Sequence, residues 1–121
     1  MDGEIGSDEL RSLLDDEDAR VVDIRPPAAF QRGHIPGSEN VPFQSLVDEV
    51  ERFEGADRVV TVCPHGKSSV QAARLLASYE GFDGTVESFE PGLDGWDGPL
   101  EDAASAETAE AAADEGPDAP F

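Results

Sequence analysis

The chain of 121 residues contains one cysteine, Cys63, one lysine, Lys67, and two histidines, His34 and His65. A single cysteine excludes an intrachain disulfide and a zinc site made of several thiolates. Two histidines leave little for metal ligation. No apolar run approaches the roughly 20 residues that a membrane-spanning helix needs. The N-terminus carries Asp2, Glu4, Asp8 and Glu9, which is unlike a signal or transit peptide. A free thiol without an export signal fits a reducing cytoplasm. Basic residues are also scarce: 8 Lys and Arg stand against 28 Asp and Glu, a net charge of −20. That charge repels phosphates and argues against nucleic-acid or anionic-membrane partners. No feature of the chain points to a large interface with itself, so a monomer is expected.

The acids are unevenly spread. From Glu101 to the C-terminus there are 7 acids and no Lys or Arg, which leaves 21 acids and 8 bases, a net −13, in residues 1–100. Seven of those eight bases are arginine. This balance resembles the composition of salt-loving archaeal proteins, because at ~1 M salt the Debye length of about 3 Å screens self-repulsion. The alternative is an acidic mesophilic protein with a solvated tail. Residues 101–121, rich in Ala, Glu and Asp, lack an apolar stripe and end in Gly116, Pro117 and Pro120. They are expected to form a disordered tail beyond one domain spanning 1–100.

Within that domain, short apolar runs alternate with helical patterns, the mark of βα units and of an α/β fold with a mainly parallel sheet. Ser7 is placed to cap a helix bearing Leu10, Leu13 and Leu14. Arg20 to Ile24 reads as a strand, and Pro26-Pro27 opens a short helix through Phe30. The loop Gly33 to Gly37 leads to an extended piece near Glu39 to Val41. Phe43, Leu46, Val47, Val50 and Phe53 recur at helical spacing up to Gly55. Arg58 to Val62 reads as the most buried strand. A helix follows from about Ser68 to Tyr79, with Gly81 as its C-cap. Thr85 to Phe89 is the last strand, and Gly92 to Trp96 is a turn or short helix anchored by Trp96.

Cys63 follows the buried strand and precedes a helix, so it falls at the carboxyl end of the sheet, where open α/β folds bind ligands. Gly66 permits the tight conformation in which the segment Pro64-His65-Gly66-Lys67-Ser68-Ser69 curls so that its backbone N–H groups, from His65 onward, turn inward. The helix N-terminus, Lys67 and the hydroxyls of Ser68 and Ser69 would each stabilise a thiolate or an incoming anion. The bland alternative for Cys63 is a small buried hydrophobe at a strand end. The bland alternative for Lys67 is an exposed helix-start residue, although a lysine there opposes the helix dipole and is the one lysine of the chain. His65 either orients substrate or faces water at the rim. His34 is expected to fix its own loop. Asp23 and Arg25, flanking Ile24, are expected to pair and hold loops at the end of the sheet.

Three segments together resemble the rhodanese-like domain family. Val22-Asp23-Ile24-Arg25, Ala29-Phe30, Gly33-His34-Ile35-Pro36-Gly37-Ser38 and Asn40-Val41-Pro42 look like its D-x-R…F…GHIPGA-x-N-x-P signature. Cys63 to Ser69 looks like its C-x-x-G-x-x-S loop. Pro91-Gly92-Leu93-Asp94-Gly95-Trp96 is similar to its closing G-G-x-x-x-W. The resemblance implies a parallel five-stranded sheet flanked by helices on both faces, and no cofactor or metal. It also implies that Cys63 carries sulfane sulfur as a persulfide between an anionic donor such as thiosulfate and a thiophilic acceptor, small or protein. His65, Gly66, Lys67, Ser68 and Ser69 would then hold the substrate, supported by Asp23 and Arg25. This chain departs from the family in three places. Pro64 lacks an N–H, many members carry arginine where Ser68 stands, and Pro91 replaces the first closing glycine.

Two other functions compete with this one. A phosphatase or arsenate reductase of the C-x5-R type uses a bidentate arginine where Ser69 stands, and without it phosphate-like transition states lose their main clamp. A non-catalytic module that binds or regulates a partner would not need the cysteine, glycine and lysine of the loop. The acidic composition makes its own prediction: stability against denaturant should rise from low to multimolar salt. Equal stability at both ends of that titration would exclude the halophilic reading.

Overall fold

The computed structural model describes residues 1–101, and the expected tail beyond Glu101 lies outside the described residues. The central strand is the valine-rich run: Val59, Val60 and Val62 place β-branched side chains on both faces of β4 (Arg58–Val62), and all three are fully buried. Around it stand β1 (Glu4–Ile5), β2 (Ala19–Asp23), β3 (Glu39–Asn40) and β5 (Thr85–Phe89). The sheet order is β1-β5-β4-β2-β3 and every pairing is parallel. The crossovers carry α1 (Ser7–Leu13), α2 (Pro27–Arg32), α3 (Phe43–Glu49) and α4 (Ser68–Ser78).

The alternation of β4 sorts its side chains into two cores. Val59 joins Val22, Val86, Leu46 of α3 and Ala72, Ala73 and Leu76 of α4, with Phe53 and Phe82 closing the layer. Val60 and Val62 face Leu10 and Leu13 of α1, with Ile35, Phe89 and Trp96. Helices therefore cover both faces, as expected for the α/β class. Among the described residues no helix is long and apolar enough to cross a membrane.

Several expectations need correction. β1 was not anticipated. It is two residues long and pairs only with β5, so it leaves no pattern in the sequence. Ser7 does not cap α1. It occupies the first helical position after Gly6, and its hydroxyl instead donates to the Gly95 carbonyl at 3.4 Å. The helix expected from Phe43 to Phe53 breaks into α3 and a 3-10 turn, Val50–Phe53. Phe43 and Val47 of that stripe are exposed, and the burial falls on Leu46 and Phe53. α4 ends at Tyr79 in extended conformation, so Gly81 is not its cap. Gly81 lies beside the Tyr79 ring and the Glu54 carboxylate, which a Cβ there would meet at 2.7 and 2.8 Å and push aside.

Trp96 is the packing anchor expected: it stands edge-on to Phe89, and its indole N–H donates to the Pro99 carbonyl at 2.9 Å. Arg20 lies over the Phe53 ring at 4.5 Å and holds Glu39 with two bonds of 2.7 Å, tying β2 to β3. Phe53 fills the junction of the 3-10 turn with the sheet and is wholly buried. Phe53→Ala should cost about 3–5 kcal/mol, the price of a large cavity, read as a lower midpoint in urea at unchanged slope.

Candidate active site

The chain leaves β4 at Val62, turns through Cys63 to Lys67 and enters α4 at Ser68. Cys63 is 2% exposed. Its Sγ accepts the backbone N–H of Gly66 at 3.1 Å and of Ser69 at 3.3 Å, and it lies 3.4 Å from the Ser69 hydroxyl. Burial pushes the thiol up. The Ser69 hydroxyl and the backbone N–H groups of Ser69, His65 and Gly66 favour the thiolate and prevail, so the thiol lies below its ordinary value. Cys63 also packs in the α3–α4 core.

Gly66 makes this turn possible. Its φ is +79°, and a Cβ there would lie 2.0 Å from the Glu90 carbonyl oxygen. Gly92, at φ +73°, meets the same loop from the other side: its Cβ would lie 2.4 Å from the Pro64 carbonyl oxygen. Leu93 N–H donates to the Cys63 carbonyl at 2.9 Å and Asp94 N–H to the Pro64 carbonyl at 3.0 Å. The closing turn thus clamps the cysteine loop. Pro64 enters this clamp through its carbonyl, and the sulfur takes its N–H donors from later residues, so the missing Pro64 N–H removes none of them.

The residues singled out in the sequence divide into groups. Gly66 and Ser69 touch the sulfur. Lys67 and Ser68 are exposed. Among the described residues their backbone N–H groups donate to no protein acceptor, and Lys67 forms no ion pair. His65 stands at the rim, with Nδ1 2.9 Å from the Asp94 carboxylate, and both side chains are about two-thirds exposed. Asp23 and Arg25 form a bidentate pair. The guanidinium also donates to the Gly33 carbonyl at 2.6 Å, so the pair braces the loop after α2 as anticipated. His34 stacks on Phe30 at 3.8 Å and exchanges two backbone bonds with Glu101, each 2.8 Å. It fixes its loop, and it also holds the first residue of the expected tail.

Two residues at the site escaped the sequence reading. Thr61 of β4 and Ser88 of β5 are paired in register and wholly buried. The Thr61 hydroxyl donates to the Ser69 carbonyl at 2.7 Å, and the Ser88 hydroxyl lies 2.7 Å from that of Ser69. The available signal was a polar residue inside each of two apolar strands, since buried hydroxyls need partners.

Comparison with known proteins agrees with this geometry. The Rhodanese-like domain family model matches residues 7–98. The thiosulfate sulfurtransferase GlpE of Pseudoalteromonas translucida is 39% identical over 85 residues, 70% of this chain and 79% of that protein. GlpE of Pseudomonas aeruginosa is 36% identical over 92 residues, 76% of this chain and 81% of the relative. Among solved structures, the rhodanese-like domain of the Anabaena Alr3790 protein superposes with a TM-score of 0.73 at 25% identity, covering 100% of this chain and 95% of that one. The human single-domain sulfurtransferase TSTD1 superposes with a TM-score of 0.66 at 27% identity, covering 77% and 93%.

The depressed thiol can be checked directly. The pH midpoint of Cys63 alkylation by iodoacetamide should fall below the ~8.5 of an ordinary cysteine. Ser69→Ala removes one of the bonds that favour the thiolate and should move the midpoint upward. A wild-type midpoint at or above the ordinary value would contradict the assignment.

Proposed function

The chain belongs to the rhodanese-like domain family, and we propose on that basis that it is a sulfurtransferase acting through a Cys63 persulfide. The observation that carries this reading is the buried Cys63 sulfur, bonded by Gly66 and Ser69 N–H groups in a loop that leaves the Lys67 and Ser68 N–H groups free. The N–H groups on the sulfur favour the thiolate needed for attack. The free N–H groups, with the α4 N-terminus and the Lys67 ammonium, favour an anionic donor above it.

With thiosulfate as donor, the thiolate attacks the outer, sulfane sulfur. The S–S bond of the donor breaks, sulfite leaves with the electron pair, and Cys63 becomes a persulfide. An acceptor such as cyanide or a thiolate then attacks the outer sulfur of the persulfide and carries it off, and the Cys63 thiolate returns. The loop amides meet negative charge in both half-reactions, on the incoming dianion and on the terminal sulfur of the persulfide. The chain has no second cysteine, so the acceptor comes from outside it, as a small molecule or another protein. A purely regulatory module would have no use for donors converging on this sulfur.

Incubation with thiosulfate should add 32 Da to the protein, and cyanide should then release thiocyanate. Cys63→Ser should abolish both signals. Absence of both in the unaltered protein, at low and high salt, would overturn the assignment. Lys67→Ala should raise the KM for thiosulfate roughly two- to fivefold with kcat nearly held, the effect of one exposed charge contact. An unchanged KM would remove Lys67 from the donor site.

A further inference from the structure

Behind the reactive sulfur lies a chain of buried hydroxyls. Cys63 Sγ is 3.4 Å from Ser69 Oγ, which is 2.7 Å from Ser88 Oγ. Ser69 and Ser88 are both wholly buried. Ser69 belongs to the first turn of α4, where the Thr61 hydroxyl holds its carbonyl from below at 2.7 Å. Ser88 belongs to β5, a different element, and among the described residues makes no hydrogen bond to the sulfur.

A hydroxyl has one proton to donate and lone pairs with which to accept. A neutral Cys63 thiol can donate to Ser69, whose own proton then turns toward Ser88. A thiolate can only accept. Ser69 must then turn its proton toward the sulfur, and in the 2.7 Å contact Ser88 becomes the donor. The chain thus reverses direction when the thiol ionises, and no buried hydroxyl loses its partner in either state. In the thiolate state each hydroxyl polarises the next, which strengthens the bond that reaches the negative charge.

We propose that Ser88 is a positioning residue for sulfur transfer: its hydroxyl orients and polarises that of Ser69, which in turn stabilises the Cys63 thiolate. The role rests on the sulfurtransferase reading for its use, but it can be measured on the resting protein. The lowered thiol agrees with it, with the Ser69 hydroxyl foremost among the groups that favour the thiolate.

The test is the pH profile of Cys63 alkylation in four proteins: unaltered, Ser88→Ala, Ser69→Ala and the double variant. Ser88→Ala should lower the rate about two- to threefold on the acid side of the midpoint, the loss of one polarising neighbour, and leave the alkaline plateau unchanged. In the Ser69→Ala background the same substitution should have no further effect. A Ser88→Ala profile identical to the unaltered one, or an equal shift with Ser69 already absent, would overturn the proposal. If the alanine variant does not fold, Ser88→Cys keeps the shape at a slightly larger size, swaps the hydroxyl for a weak donor, and should give the same acid-side loss at Cys63 by peptide mass. Thiosulfate labelling in parallel separates the two readings. The expected profiles without any 32 Da adduct would sink sulfur transfer while supporting the Ser88 assignment.

Discussion

Two stretches of backbone touch at the carboxyl end of the sheet, and the site depends on that contact. Gly66 turns against the Glu90 carbonyl, and Gly92 turns against Pro64 and Gly66. Neither approach leaves room for a side chain, and both glycines have positive φ. The loop after β4 is thereby pressed onto the segment after β5, with the Cys63 and Pro64 carbonyls taking N–H bonds from the closing turn. With its carbonyls so engaged, the loop turns the Gly66 and Ser69 N–H groups onto the sulfur. α4 then descends from the loop and lies close to the sheet through the small residues Ala72 and Ala73. Packing, loop shape and thiol chemistry all follow from one close approach between main chains.

The same arrangement answers a problem of charge. A body this acidic opposes a small dianion at long range. Yet from Cys63 to Tyr79 no Asp or Glu occurs, while Lys67 and Arg74 do. Both are exposed, and among the described residues neither forms an ion pair. Elsewhere Arg20 and Arg58 are engaged with Glu39 and with Glu87 and Glu9, knitting strands together. The segment that carries the cysteine loop and α4 therefore brings no negative side chain of its own to the site. At the nanometre-scale Debye length of ordinary buffers the nearer charges count most.

Much of this was legible in the residues. Strand β4 announced itself through consecutive β-branched side chains, because a central parallel strand is buried on both faces. Cys63 and its glycine loop stood out because a strand-to-helix turn has few ways to close. The bracing role of Asp23, Arg25 and His34 was readable from their place among turn residues. Less legible were the short β1, whose two residues carry no period, and the break in the helix after Glu49. Phe43 and Val47 fit a helical stripe by spacing, yet the tertiary contacts bury Leu46 and Phe53 instead.

Local order along the chain determined which segments are strands and helices, and that the one cysteine stands between a buried strand and a helix. These depend on side-chain period, backbone freedom and neighbouring groups, all of which are written consecutively. Only the tertiary structure decided that Thr61 and Ser88, 27 positions apart in numbering, stand side by side beneath Ser69. Sheet register brings them together, and a hydroxyl buried in a strand has no partner until a neighbouring strand and the helix above supply one.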